Sequence, residues 1–118
     1  MSRLTTNLWR YEVLCKCGCG MSTIDFEVVG IFQTICDECT RQLGKKCIAT
    51  ITSANRCLAH NEKVGGRPNS RHTYSQALDF RVRGFTSEDL KVIAEKVLPK
   101  DTFFCYKVTD LVIHVQTK

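Results

Sequence analysis

Three side chains of this sequence have the types and spacing needed to bind a metal ion. His72 and Asp79 lie seven residues apart, and His114 follows much later, inside an apolar run near the C-terminus. Two imidazoles and one carboxylate can supply three ligands to a zinc ion and leave its fourth position to water. Because a zinc ion with an open position activates water, this set predicts a hydrolytic site.

The three residues can act together only if the elements that carry them are neighbours. His72 falls at the end of a long predicted loop. Asp79 lies in a strand predicted over residues 77–82, and His114 lies in a last strand predicted over residues 111–115. If those two strands pair in an antiparallel sheet, the three side chains can converge on one cation.

Asp79 and His114 also admit an explanation without a metal. An acidic side chain in a packed strand is costly unless it is paired or metal-bound. A salt bridge from Asp79 to Arg56 or Arg81 would meet that cost. His114 would then be a hydrogen-bonded histidine of the core, and the residue types alone leave both explanations open.

The pattern of apolar residues predicts a small α+β fold. Side chains at three- and four-residue steps predict a helix from Ile24 to Leu43 that ends at Gly44. Ser22 and Asp25 before it have the spacing of a capping box. The other predicted elements are strands over 47–52, 77–82, 102–108 and 111–115, a long loop over 53–69, and a second helix that is capped by Thr86 and Asp89 and stopped by Pro99. We therefore predict one domain over residues 1–118, with a small antiparallel sheet and about two helices.

The composition is that of a globular chain with a basic surface. Of its 118 residues, 43% are hydrophobic, and the formal net charge is +5. The basic residues are spread along the chain, so we expect a mild attraction to anionic substrates and no specific nucleic acid partner. No apolar run is long enough to span a membrane, and the N-terminus lacks the apolar core of a secretory signal. We therefore expect synthesis in the cytoplasm without a cleaved signal.

Cysteines are unusually frequent for this length. The eight are Cys15, Cys17, Cys19, Cys36, Cys39, Cys47, Cys57 and Cys105. In a chain without a secretory signal, such a set indicates thiols or metal binding more often than disulfides. Cys36 and Cys39 fall on the buried stripe of the first predicted helix, where we expect apolar packing. The spacings do not match the two C-x-x-C pairs of a zinc ribbon, but the sequence does not exclude a zinc site made of cysteines. A partner for Cys57, as a thiol or a disulfide, is expected among Cys17, Cys19 and Cys105.

Three segments of the chain match a known family signature in order, and a fourth looks like a segment found near the start of some relatives. They are residues 51–61, reading ITSANRCLAHN, residues 64–72, residues 77–79 and, near the start, the sequence CKCGCG of residues 15–20. The signature contains S-x-H-x-x-G-x-A-x-D and is followed by a late strand with a third ligand. Over nearly its whole length, the chain resembles the zinc D-alanyl-D-alanine carboxypeptidase family. It is most similar to the compact phage and bacterial members, which include L-alanyl-D-glutamate endolysins.

This resemblance implies a fold, a site and a substrate. The fold would be that of a hedgehog or DD-peptidase domain, and Zn²⁺ would be bound by His72, Asp79 and His114. Arg56 would orient the substrate or stabilise the oxyanion through its permanent charge, and Ser70 would bind substrate or fix the metal loop. The bond cleaved would be an amide next to a D-amino acid in peptidoglycan stem peptides, at the bacterial cell wall. Such a protein would act in lysis, after holin-dependent release through a membrane pore, or as part of a virion.

The sequence departs from the family pattern where a catalytic base is expected. Relatives carry an acid three residues before the last histidine, or an acid or histidine two residues away, and here those positions hold Leu111, Val112 and Gln116. The nearest carboxylate is Asp110, which is our candidate base, and its alternative role is that of a turn aspartate between two strands. The glycine of the signature is Ser75. Two other hypotheses therefore remain. One is a zinc-bound but catalytically weak module that binds the cell wall or forms a structural part of a virion, and the other is a cysteine–zinc protein that binds nucleic acid through its positive charge.

Overall fold

Four antiparallel strands build the sheet on which the predicted site depends. The computed structural model describes residues 3–20, 24–67, 70–74 and 76–118. The strands of this sheet are β3 (Ala49–Ser53), β4 (Ala77–Val82), β5 (Phe103–Lys107) and β6 (Ile113–Thr117), in the spatial order β3-β4-β6-β5. Each pair of neighbours is antiparallel. Two short strands, β1 (Arg3–Thr5) and β2 (Leu8–Trp9), form a separate antiparallel pair near the N-terminus.

Within the described residues, three α-helices accompany the sheet. They are α1 (Phe26–Leu43), α2 (Leu58–Lys63) and α3 (Ser87–Val97), and two 3-10 turns lie at Arg10–Val13 and Arg71–Tyr74. The predicted α+β class with an antiparallel sheet is confirmed. The helix that the sequence did not predict is α2, which lies in the expected loop and has only six residues, too few to show helical periodicity. It begins after Cys57, whose Sγ accepts a hydrogen bond from the backbone N–H of His60 at 3.4 Å.

The long helix α1 is fixed at both ends by residues that the sequence indicated. Asp25 is its N-cap, and Oδ1 of this residue accepts a hydrogen bond from the N–H of Glu27 at 2.7 Å. Gly44 ends the helix with a φ of 73°, a left-handed conformation that glycine adopts without steric cost. Ser22, the other half of the predicted capping box, lies outside the described residues. Neither α1 nor any other described helix is long and apolar enough to cross a membrane.

The core forms where one face of the central strands packs against α1 and α3. The register of β4 and β6 places Leu78 opposite Val115 and Phe80 opposite Ile113, and all four side chains are fully buried. Phe80 also meets Phe32 of α1 edge to face, with ring centroids 4.8 Å apart. Because successive side chains of a strand point to opposite faces, the residues between these apolar ones point away from the helices.

Cys47 joins the chain that follows α1 to this helix, which contains Cys36 and Cys39. Cys36 and Cys39 are fully buried in the core, which confirms their predicted packing role. The N–H of Cys47 donates to Oγ1 of Thr40 at 3.1 Å, and its Sγ donates to the carbonyl of Cys36 at 3.5 Å. Cys47 is therefore bound to the helix, and the strand predicted from this residue begins at Ala49 instead.

Because of the turn between the last two strands, β5 is shorter than predicted and β6 begins later than predicted. β5 ends at Lys107 and β6 begins at Ile113. Between them, the N–H of Val108 donates to the carbonyl of Val112 at 2.8 Å, and Oγ1 of Thr109 accepts from the N–H of Val112 at 3.0 Å. These bonds close a turn over residues 108–112, so the apolar residues at its end do not belong to the last strand.

Candidate metal centre

The three residues predicted as metal ligands meet on the face of the sheet that points away from the helices. β4 and β6 pair Asp79 directly with His114, and His72 reaches the same point from the 3-10 turn Arg71–Tyr74. Oδ1 of Asp79 lies 2.7 Å from Nδ1 of His114 and 3.2 Å from Nε2 of His72. Both histidines are 3% exposed and Asp79 is 7% exposed. One ligand atom from each of the three side chains lies within 4.8 Å of the other two.

Backbone contacts hold His72 in this orientation. Its Nδ1 lies 2.6 Å from the carbonyl oxygen of Ala54, so this nitrogen carries a proton and Nε2 faces Asp79. The N–H of His72 donates to Oγ of Ser70 at 3.3 Å, and its carbonyl accepts from the N–H of Arg56 at 3.1 Å. Ser70 and Arg56, both predicted as site residues, thus hold the backbone on either side of the imidazole.

Gln116 and Tyr106 orient His114. The Nε2 of His114 donates to Oε1 of Gln116 at 2.7 Å, which leaves Nδ1 facing the carboxylate of Asp79. The ring of Tyr106 stacks on the imidazole, with centroids 4.4 Å apart and an interplanar angle of 17°. This role of Gln116 was not predicted from the sequence, although residues two apart in a strand share a face.

Asp79 is an ionised carboxylate held by imidazoles. Burial opposes its ionisation, but hydrogen bonds from His114 and His72 outweigh burial and lower the pKa of the carboxyl to about 2. Within the described part of the chain, the two histidines are its ion-pair partners, so the salt bridge to Arg56 or Arg81 that the sequence left open is not formed.

The proton count of these histidines fits a bound cation. A neutral imidazole has one N–H, yet each ring places both of its nitrogens against an oxygen acceptor. Without a cation, the two inner nitrogens that face the single carboxylate would require protons between them and its oxygen. A cation between Nε2 of His72, Nδ1 of His114 and Asp79 removes that requirement.

The spacing of the donor atoms also suits zinc. A tetrahedral zinc ion with bonds of about 2.1 Å places its ligand atoms about 3.4 Å apart. The separation of 3.2 Å between His72 and Asp79 is close to this value. The separation of 2.7 Å between His114 and Asp79 has to lengthen by less than about 1 Å to reach it. Two imidazole nitrogens and a carboxylate oxygen are also ligands that zinc accepts.

The triad lies in a cleft of about 800 Å³ with a basic wall. Arg56, Arg67 and Arg71 line it, together with the aromatic rings of Phe104 and Tyr106. A cluster of guanidinium groups favours anionic ligands, and each group can bind a carboxylate through two parallel hydrogen bonds.

A buried asparagine positions Arg56 at this cleft. Nη1 of Arg56 donates to Oδ1 of Asn61 at 3.3 Å, and Nε donates to Oγ of Ser53 at 3.3 Å. Asn61 is 3% exposed, and its Nδ2 donates to the carbonyl of Arg67 at 2.8 Å. A Cβ at Gly66 would lie 2.1 Å from Oδ1 of Asn61, so only glycine allows this close approach. Asn61 lies in one of the segments that match the family signature, but its role was not predicted from the sequence.

Asp110 is not brought to this site. It is exposed in the turn between β5 and β6, and its carbonyl accepts from the N–H of Ser87 in α3 at 2.9 Å. It borders a different depression, together with Glu88 and Lys107. A base for the triad would have to lie in the cleft, and Asp110, which was predicted as that base, lies outside it. Among the described residues that line the cleft, Asp79 is the only carboxylate.

We expect Asp110→Asn to leave hydrolysis within about twofold of wild type, a change in barrier of less than about 0.5 kcal/mol. The reason is that its side chain borders another surface. Initial rates measured at equal zinc content would check this. A loss of more than about a hundredfold, the range that a general base supplies, would instead restore Asp110 as the base.

We expect Gln116→Ala to weaken zinc binding by about 10–100-fold, the usual effect of removing a hydrogen-bond partner of a ligating histidine. The variant loses the acceptor for Nε2 of His114. Competition against a chromophoric chelator measures the affinity. Gln116→Glu is the matched control, because it keeps an oxygen acceptor at the same place and should retain the affinity; equal weakening by both variants would contradict the assigned role.

Comparisons with known proteins agree with this fold. Residues 6–116 match the model of a family described as peptidase M15. The fold is similar to that in the crystal structure of the Serratia marcescens L-Ala D-Glu endopeptidase ChiX, with a TM-score of 0.52, 12% sequence identity and coverage of 80% of each chain. No curated protein matches the sequence.

Proposed function

The chain belongs to the peptidase M15 family, and on that premise we propose that it is a zinc-dependent peptidase of bacterial peptidoglycan. The bond cleaved would be an amide next to a D-amino acid in the stem peptide. The observation that carries the proposal is the buried triad at the cleft, in which both rings place both nitrogens against oxygen acceptors. We also propose that the protein acts at the bacterial cell wall. A role in lysis or as part of a virion stays a prediction from the family resemblance.

His72, Asp79 and His114 would hold the ion through Nε2, the carboxylate and Nδ1, the atoms that already face one another. A zinc ion bound there would lower the pKa of a water ligand and polarise the scissile carbonyl. The contacts of Ala54 and Gln116 with the outer ring nitrogens would keep each inner nitrogen available as a ligand.

The arginines of the cleft would bind the substrate. Stem peptides carry free carboxylates, and Arg56, Arg67 and Arg71 in the lining of the cleft offer planar donors for them. Arg56 lies beside the backbone of His72 and is held by Asn61, and in this proposal it would also stabilise negative charge on the carbonyl oxygen during attack. The name of the Serratia relative specifies an L-Ala D-Glu bond, and a bond next to an acidic D-residue would suit this basic wall.

The test is digestion of purified peptidoglycan by the full chain, with released peptides identified by mass spectrometry. We expect peptide release by the zinc-loaded protein, loss of release after treatment with a chelator, and recovery when zinc is added back. No release by fully zinc-loaded protein would overturn the enzyme assignment, and unchanged release by protein shown to be metal-free would overturn the zinc assignment.

A second function is favoured by one specific observation, the lack of another carboxylate at the cleft. Asp79 is the only acid among its described lining residues, and the residues outside the described ranges include no acid at all. A protein of this kind would bind zinc and stem peptides but cleave slowly. Co-sedimentation with peptidoglycan without peptide release would identify it. Gain of cleavage in Gln116→Glu, which adds an acid to the cleft, would show what had been missing.

A further inference from the structure

Four cysteines form a second cluster of metal-binding side chains, outside the cleft. The sulfur atoms of Cys15, Cys17, Cys19 and Cys57 all lie within 4.8 Å of one another. Sγ of Cys17 is 3.5 Å from Sγ of Cys15 and 3.5 Å from Sγ of Cys57. All four are free thiols, and none of the lining residues of the cleft belongs to the cluster.

The chain is shaped to bring these sulfurs together. Gly18 and Gly20 alternate with the cysteines and have φ values of 85° and 87°, in the left-handed region that glycine adopts most readily. The N–H of Gly18 donates to the carbonyl of Cys15 at 3.3 Å and closes a tight turn. The loop is joined to the sheet by Lys16, whose Nζ donates to the carbonyl of Thr52 in β3.

Backbone N–H groups donate hydrogen bonds to two of the sulfurs, as they do to the thiolate ligands of a metal ion. The N–H of Cys57 donates to Sγ of Cys15 at 3.3 Å, and the N–H of His60 donates to Sγ of Cys57 at 3.4 Å. Hydrogen bonds from backbone amides stabilise negative charge on sulfur and orient it, which is the role of outer partners around a metal site.

We propose that Cys15, Cys17, Cys19 and Cys57 bind a zinc ion of their own, a structural one. Four thiolates bound to zinc at about 2.3 Å lie about 3.8 Å apart at the corners of a tetrahedron, and the observed separations of 3.5 Å and at most 4.8 Å bracket that value. Four protein ligands leave no position for water, so this ion is not catalytic. Thiolate ligands select soft or borderline metals such as zinc over magnesium or calcium.

A zinc ion at the cysteine cluster would also affect the cleft, because Cys57 lies next to a residue of the cleft. Cys57 is the neighbour of Arg56, whose N–H is bound to the carbonyl of His72. An ion at the cluster would tie the N-terminal loop to the segment that carries Arg56. The cysteine ion would thus position the arginine without touching the substrate.

The test is a zinc count on the full chain, purified under reducing conditions, in wild type, in three site variants and in one control variant. We expect about two zinc ions per wild-type chain, about one in Cys17→Ser, about one in Asp79→Asn and about none in the double variant. Cys105→Ser is the matched control, because Cys105 packs against the core from β5, away from the cluster, and should keep the wild-type count. Asp79→Asn isolates the cysteine site, so this result does not depend on the proposed function.

A second measurement covers the case in which Cys17→Ser does not fold. A mercurial reagent added to the Asp79→Asn protein should release about one zinc as about four thiols react, and the cobalt-loaded form should show a sulfur-to-cobalt charge-transfer band. Wild-type zinc content in a folded Cys17→Ser variant would overturn the proposal. Two other results would also overturn the proposal. One is that the mercurial reagent releases no zinc. The other is a count of four missing thiols, which would mean that the cluster forms two disulfides.

Discussion

Asp79→Asn is expected to remove zinc from the cleft and to lower peptide release by about a thousandfold or more. Asp79 is the residue that both histidines contact, and an amide in its place has no charge and only one acceptor oxygen instead of two. The activation of water and carbonyl by zinc contributes several kcal/mol, and about 4 kcal/mol corresponds to about a thousandfold in rate. Zinc content and initial rates, measured on the same preparation, check both parts.

The matched control is Asp37→Asn, the same chemical change on the exposed side of α1, where Asp37 accepts a hydrogen bond from Gln33 at 2.8 Å. It should keep zinc and activity. If Asp79→Asn kept full activity, the triad would not be the catalytic metal site. If it lost activity but kept the wild-type zinc content, Asp79 would act in catalysis without being a ligand.

Phe80→Ala is expected to lower the free energy of unfolding by about 3–5 kcal/mol, the cost of a large cavity in a packed core. Phe80 is fully buried between Ile113 and the ring of Phe32, on the face of β4 opposite the triad. Because the pairing of β4 with β6 sets Asp79 against His114, weakening it should also loosen the metal site. Urea denaturation of the zinc-free protein measures the first effect.

Phe26→Ala is the matched control for this change. Phe26 is 85% exposed at the start of α1, so removal of its ring should change stability by less than about 0.5 kcal/mol. A loss at Phe80 as small as the loss at Phe26 would contradict the description of the core.

The parts of the structure that depend on strand alternation could be predicted from the sequence. Asp79 stands between two apolar residues, and the period of two sends it to the face opposite them. The strand Ala77–Val82 has the predicted bounds, and the cap of α3 by Thr86 and Asp89 is formed at both of its hydrogen bonds. These features are local, so short-range chemistry decides them.

The parts that depend on distant contacts could not be predicted. Asp110 is four residues from His114 in the sequence, yet the turn and its contact with α3 carry it to another surface. The role of Gln116 required knowing which nitrogen of His114 faces the carboxylate. The partner of Cys57 was left open among three cysteines, and the fold brings Cys57 to Cys17, whereas Cys105 packs against the core.

The most direct test of the central claim is a crystal structure of the zinc-loaded chain with anomalous data collected at the zinc edge. We expect a peak about 2.0–2.1 Å from Nε2 of His72 and from Nδ1 of His114, with Asp79 as the third protein ligand. The contradicting result is a zinc-loaded crystal without a peak at this point, in which Asp79 still keeps its direct hydrogen bonds to both histidines.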